Sequence, residues 1–124
     1  KLKKNNNLKN IIKLLGYKKQ PYPYIQKADI FVLTSKYEGF GITAIEAFNF
    51  DCPVFHTGKG SLKEIANTNG LYDGTSESLR TCLEKNLYSS AIRKEMIEQG
   101  RSLRNNFTWE NCHKDTMQIY KNFI

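Results

Sequence analysis

Apolar residues along this chain fall into short runs separated by polar turns, and the spacing inside each run predicts an element. Ile11-Ile12-Lys13-Leu14-Leu15, closed by Gly16, predicts a strand. Pro21 and Pro23 punctuate the next segment, where Tyr22 to Lys27 predicts a short helix with Tyr24 and Ile25 facing inward. Asp29-Ile30-Phe31-Val32-Leu33-Thr34 is the clearest strand, nearly continuously apolar, as a strand buried on both faces should be. A polar turn from Ser35 to Glu38 leads through Gly39-Phe40-Gly41 into a predicted helix from Thr43 to Phe50, with Thr43 and Glu46 spaced as a capping box. Asp51-Cys52-Pro53 ends that helix, and Val54-Phe55 opens another strand.

Beyond it, Gly58 and Gly60 mark a loop, and Ser61 and Glu64 repeat the capping-box spacing ahead of a short helix reaching Ala66. Gly70-Leu71-Tyr72 is a brief strand. Ser76 to Asn86 and Ser90 to Gln99 carry helical periodicity, with Gly100 as the stop of the second. Thr108 caps a last helix that places Trp109, Cys112, Thr116, Ile119, Tyr120 and Phe123 roughly on one face. Strands alternating with helices across short connections predict an α/β fold, an open parallel sheet with helices on both faces. Ligands of such sheets bind at the carboxyl ends of strands, where loops lead into helix starts.

Composition adds limits. The 124 residues allow one core, and no apolar run approaches the ~20 residues that span a bilayer. The net charge of +7 has one source, because residues 1–20 hold seven lysines and no acid while the rest balances. Residues 1–10 therefore read as a basic Lys/Asn-rich segment preceding a single domain over residues 11–124. Such an arm could attract nucleic acid, an anionic membrane or a phosphorylated ligand. A merely solvated segment is the preferred reading, since no aromatic residue joins the lysines before Tyr17. Cys52, Cys82 and Cys112, an odd set without a CxxC pair, argue against a disulfide framework and a zinc site and for a reducing, cytoplasmic compartment.

The stretch from Ser35 to Glu46 holds the candidate chemistry. Glycines beside a helix start let backbone approach a ligand, and the unpaired N–H groups there suit a phosphate. Glu38 and Glu46 are poor phosphate ligands but good acceptors for sugar hydroxyls, so the set suits a nucleotide-sugar. A Gly-x-Gly turn into a helix is also common, and Glu46 could serve only as the capping partner of Thr43.

The chain resembles the C-terminal domain of the retaining GT-B glycosyltransferases called group 1 or family 4. The residues that carry the resemblance are Tyr24, Ala28-Asp29-Ile30-Phe31-Val32-Leu33-Thr34-Ser35, Glu38-Gly39-Phe40-Gly41-Ile42, Ile45-Glu46-Ala47-Phe48 and Cys52-Pro53-Val54. Leu62, Glu64-Ile65 and Phe107-Thr108-Trp109-Glu110 add downstream landmarks. The resemblance implies an incomplete Rossmann-like donor domain. In it Glu38 is the catalytic carboxylate beside the transferred sugar, and the backbone of Gly39, Phe40, Gly41, Ile42 and Thr43 holds sugar and diphosphate. Glu46 accepts the ribose hydroxyls, while Tyr17 and Lys18 lie where the nucleobase site begins. His56 and Lys59, in a loop that departs from the family pattern, read as loop residues.

The resemblance further implies a metal-independent hexosyltransferase that retains anomeric configuration and needs no cofactor. It would use a UDP- or GDP-linked sugar in polysaccharide, lipopolysaccharide or glycolipid synthesis, in the cytoplasm or peripherally at the inner face of the membrane. The glycan or lipid-linked acceptor would come through an N-terminal domain that these residues do not contain, nor do they contain the family's diphosphate-neutralising basic pair. Alone, the piece is expected to be inactive. The alternatives are a stand-alone nucleotide or nucleic-acid-binding module, with nucleic acid disfavoured, and an inactive glycosyltransferase fragment.

Overall fold

The computed structural model describes residues 11–66 and 70–123. The Lys/Asn-rich segment of residues 1–10 lies outside the described residues. Two short strands, β1 (Phe31–Val32) and β2 (Val54–Phe55), pair in parallel with Phe31 opposite Val54 and Val32 opposite Phe55. An isolated parallel bridge joins His56 to Leu71 on the far side of β2. The helices are α1 (Tyr22–Gln26), α2 (Ile42–Asn49), α3 (Leu62–Ile65), α4 (Ser76–Leu87), α5 (Ser90–Arg104) and α6 (Trp109–Lys121). The expected α/β class with a parallel sheet is present.

Successive strand residues face opposite sides of a sheet, so β2 shows how both faces are covered. Val54 joins a core built from Ile25, Leu33, Ala44, Ala47, Phe48, Cys52, Leu62 and Ile65. Phe55 turns the other way, into a small apolar hollow with Ile30, Leu87 and Met96. Burial pushes the Cys52 thiol up to about 11, which leaves it a packing group.

α2 and α5 form the main helix contact, and Gly100 makes it possible. A Cβ at Gly100 would stand 2.7 Å from Cδ1 of Phe48, so the absent side chain admits the ring. Gly100 therefore does not stop α5, which runs on to Arg104. Beside this approach Arg101 forks onto Asp51, with hydrogen bonds of 2.8 and 2.6 Å. Arg104 donates to the carbonyl of Phe48 at 3.1 Å, closing the end of α2.

Other sequence expectations need correction. Residues 11–16 form no strand, and Ile11, Ile12, Leu14 and Leu15 are exposed. An apolar run becomes a strand only where an edge takes up its hydrogen bonds, and among the described residues none does. In α1 only Ile25 is buried, because five residues make barely one turn and present one side chain inward, so Tyr24 stays exposed. α6 is capped at Thr108 as expected, its hydroxyl accepting from the Asn111 amide at 3.1 Å, yet none of its residues is buried.

Candidate functional site

β1 and β2 run in the same direction, so the loops leaving them emerge at the same end of the sheet. Those loops are tied together by hydrogen bonds. The carbonyl of Leu33 accepts from the Tyr72 hydroxyl at 3.0 Å, and that of Ser35 accepts from the Thr57 hydroxyl at 2.9 Å. The carbonyl of Glu38 accepts from Ser61 twice, from the amide at 3.2 Å and from the hydroxyl at 3.3 Å. Gly60 is required for this approach, because any Cβ there would overlap the Glu38 carbonyl, and its φ of +67° is strained for other residues. The hydroxyl of Ser61 is thus spent on Glu38. Its backbone is already helical at φ −64°, so the expected capping box with Glu64 does not form.

The expected box at Thr43 does not form either. α2 begins at Ile42, and its cap is Gly41 in the left-handed region at φ +77°. A Cβ at Gly41 would meet Ile65 Cδ1 at 2.7 Å and Leu62 Cδ2 at 3.0 Å, so packing against α3 sets this start rather than a polar side chain. The amide of Ala44 bonds the Gly41 carbonyl at 2.9 Å, whereas the amides of Ile42 and Thr43 have no protein acceptor among the described residues. Gly39 differs from Gly41, for a Cβ there would meet nothing within 4 Å. The fold requires glycine at Gly41 and leaves Gly39 unexplained by packing.

Glu46 lies one turn into α2, half-buried, and its Oε1 accepts from the Tyr22 hydroxyl at 3.2 Å. That bond, more than the charge of Glu46, holds the Tyr22 phenol above its ordinary pKa. Phe40 packs edge-on to Phe107 with ring centroids 5.7 Å apart, beside an open cleft of about 420 Å³ that Trp109 and Asp115 also line. The Glu38 side chain lies beside Gly41, where a Cβ would meet its Cγ at 3.4 Å. Tyr17 is 91% exposed, and neither it nor Lys18 has a hydrogen bond or ion pair with these residues. His56 is buried with Nδ1 accepting from the Gly58 amide at 3.1 Å, a loop-shaping role, and Lys59 is exposed.

Tyr22, Thr57, Gly60 and Ser61 join the candidate site only in the folded chain. Each lies more than twenty residues from the atom it contacts in the Ser35–Glu46 stretch, and no local pattern marks such a pairing. A larger cleft of about 730 Å³ lies elsewhere, between the Asp73–Thr75 turn, α4 and α5. Its lining sets Asp73, Glu77 and Glu95 against Lys85, with Lys59 beside Asp73, and this acidic excess disfavours a diphosphate. Thr75 hydrogen-bonds Asp73 and keeps that carboxyl below its ordinary range. Among the described residues no cluster of His, Cys, Asp and Glu could hold a metal, and no helix is long and apolar enough to cross a membrane.

Known proteins match most of the chain. A family model described as glycosyl transferases group 1 matches residues 1–103. A glycosyltransferase of Methanocaldococcus jannaschii, itself uncharacterized, is 30% identical over 122 residues, covering 94% of this chain and 34% of its own length. The O-antigen chain mannosyltransferase B of Escherichia coli is 31% identical over 114 residues, or 89% of this chain and 30% of that protein. An N-acetylgalactosaminyltransferase of Campylobacter jejuni, whose name specifies a diphospho-undecaprenol-linked acceptor, is 30% identical over 112 residues, 80% of this chain and 30% of its own length. The chain spans about a third of the length of the curated relatives it matches.

Proposed function

The chain belongs to the group 1 glycosyl transferases, and on that premise we propose that it supplies the donor-binding part of a retaining, metal-independent hexosyltransferase. The observation that carries the proposal is the start of α2. Two amides without an acceptor among the described residues, an N-cap without a side chain and the open space over Gly39 lie between two carboxylates. Unpaired N–H groups and the positive end of the helix suit a diphosphate. Glu38 and Glu46 then suit hydroxyl groups on either side of it.

In this reading the donor is a UDP- or GDP-sugar. Glu38, the catalytic carboxylate, accepts hydroxyls of the sugar being transferred. The backbone of Gly39, Phe40, Gly41, Ile42 and Thr43 receives sugar and diphosphate, Glu46 takes the ribose, and Tyr17 with Lys18 borders the base. The anomeric carbon forms a bond to an acceptor hydroxyl oxygen as its bond to the diphosphate breaks; the nucleoside diphosphate leaves with the bonding pair, and its oxygen takes up the hydroxyl proton. Oriented amides stabilise that developing charge without reorganising. The acceptor is a glycan or lipid-linked glycan in polysaccharide, lipopolysaccharide or glycolipid assembly, met at the cytoplasmic face of a membrane. This class accords with the named substrates of the Escherichia coli and Campylobacter jejuni relatives.

A GT-B architecture, with an acceptor-binding domain across a cleft, fits the fraction of the relatives' length that the chain spans. This chain alone is then expected to bind donor weakly and to catalyse no transfer. Calorimetric titration with UDP-, GDP- and ADP-sugars tests the proposal. Saturable binding to one of them that weakens in Glu46→Ala and Glu38→Ala is the expected result. Binding unaffected by either substitution would remove the site assignment.

A further inference from the structure

Glu46 is held by a residue from a different part of the chain. Tyr22 donates its hydroxyl to Oε1 of Glu46 at 3.2 Å across twenty-four residues of sequence. The ring that carries this hydroxyl is fixed at both ends of its surroundings. Pro21 begins α1, and its carbonyl accepts from the amides of Tyr24 at 3.0 Å and Ile25 at 3.4 Å. Ile25 plugs the core, anchoring the turn. The Tyr22 ring lies against Phe50, centroids 5.8 Å apart, and Phe50 is the residue that closes α2. Tyr22 is thus braced between the start of α1 and the end of the helix that carries Glu46.

A phenol is a distinctive choice for such a brace. Lysine or arginine would hold the carboxylate too, but would cancel its charge and occupy more of its acceptor capacity. One O–H takes a single lone pair of Oε1. Oε2 has no protein partner among the described residues. A glutamate on a helix surface otherwise samples several rotamers, and fixing it before a ligand arrives removes that ordering cost from binding.

We infer that Tyr22 is a positioning residue that orients Glu46 so that its free oxygen meets the vicinal hydroxyls of a nucleotide ribose. Tyr22 thereby determines preference for ribose over sugars lacking those hydroxyls. The inference rests on the donor-binding reading proposed above and adds to it a residue outside the family-like stretch around the glycines.

The test is titration of this chain with UDP, GDP and ADP and with their 2′,3′-dideoxy counterparts, in the wild type, Tyr22→Phe, Glu46→Ala and the double variant. Phenylalanine keeps the ring against Phe50 and removes only the hydroxyl. The expected result is a wild-type preference for the ribose form that Tyr22→Phe reduces by about two- to tenfold. Affinity for the dideoxy form should stay unchanged, and the Tyr22 substitution should have no effect once Glu46 is alanine. A purely structural role would lower both affinities together and leave the ratio alone, and that outcome overturns the inference, as does an unchanged ratio. If the wild type binds no nucleoside diphosphate, the donor-binding reading itself fails and takes the inference with it.

Discussion

Ser61 holds Glu38 by its main chain, giving both amide and hydroxyl to one carbonyl oxygen at 3.2 and 3.3 Å. The residue that the resemblance marks as catalytic therefore has its main chain held by a loop twenty-three residues away, through an atom that no side-chain comparison would reveal. Gly60→Ala inserts a methyl group where the Glu38 carbonyl stands and forces a positive φ on alanine, so it should destabilise by at least ~1–2 kcal/mol. Ser61→Ala keeps the amide bond and should cost only about 0.5–1 kcal/mol. Urea unfolding of the two variants should rank them in that order.

The two glycines around Phe40 should separate stability from binding. Gly39→Ala meets no neighbour within 4 Å and should leave the unfolding midpoint unchanged or slightly raised, while weakening nucleotide-sugar binding. Gly41→Ala meets Ile65 and Leu62 at φ +77° and should lower stability by ~1–2 kcal/mol. Unfolding and titration measured on the same samples check both halves. A Gly39→Ala variant that binds donor like the wild type would show that the open space there serves no ligand.

Gly100→Ala offers a contest between two effects. Alanine in a helix interior is favoured over glycine by about 1 kcal/mol. The added methyl, however, would sit 2.7 Å from Cδ1 and 3.2 Å from Cγ of Phe48, a ring only 1% exposed and without room to withdraw. Overpacking of this kind costs roughly 1–3 kcal/mol, so the net effect should be a loss of stability. Gly100→Ala combined with Phe48→Leu should recover part of it, which denaturant titration of the pair would show.

Asp51 gives the fold a small acid sensitivity. Its hydrogen bonds from Arg101, with help from the charges of Arg101 and Arg104, hold its carboxyl below the ordinary range. The unfolded chain then binds more protons than the folded one between the depressed and ordinary values. The associated stability is complete above the ordinary carboxyl pKa of about 4 and is lost as pH falls through the depressed value. Asp51→Asn keeps a residue tolerant of φ 55° and should flatten that part of the acid limb. The pair is solvent-exposed, so the change in Tm at neutral pH should be only a few degrees. Thermal melts from neutral pH down to strongly acidic pH measure it.

How much of this was legible depended on whether the deciding partner was local. Val54 and Phe55 were readable as a strand because continuous apolarity is intrinsic to a strand covered on both faces. The Ile11 to Leu15 run reads as a strand on similar grounds and forms none, since a strand also needs an edge and sequence does not name one. Thr108 caps α6 as its local spacing says. Thr43 and Ser61 carry the same spacing and do not cap, because an αL glycine begins α2 and a distant carbonyl claims the Ser61 hydroxyl. The candidate site divides the same way. Glu38 to Glu46 is one contiguous stretch and could be read directly, whereas Tyr22 and Ser61 enter it only through folding.

α6 lends the molecule no buried residue, though Thr108 gives it a proper beginning. A helix of thirteen residues without a packed face is close to the length at which isolated helices are marginal in water. Its backbone amides should exchange with deuterium early, while those of α5, anchored through Gly100 and Met96, wait for the core to open. The chain then has two clocks, one for the last helix and one for the sheet with its covering helices. Anything that docks on α6 would announce itself by slowing the faster one.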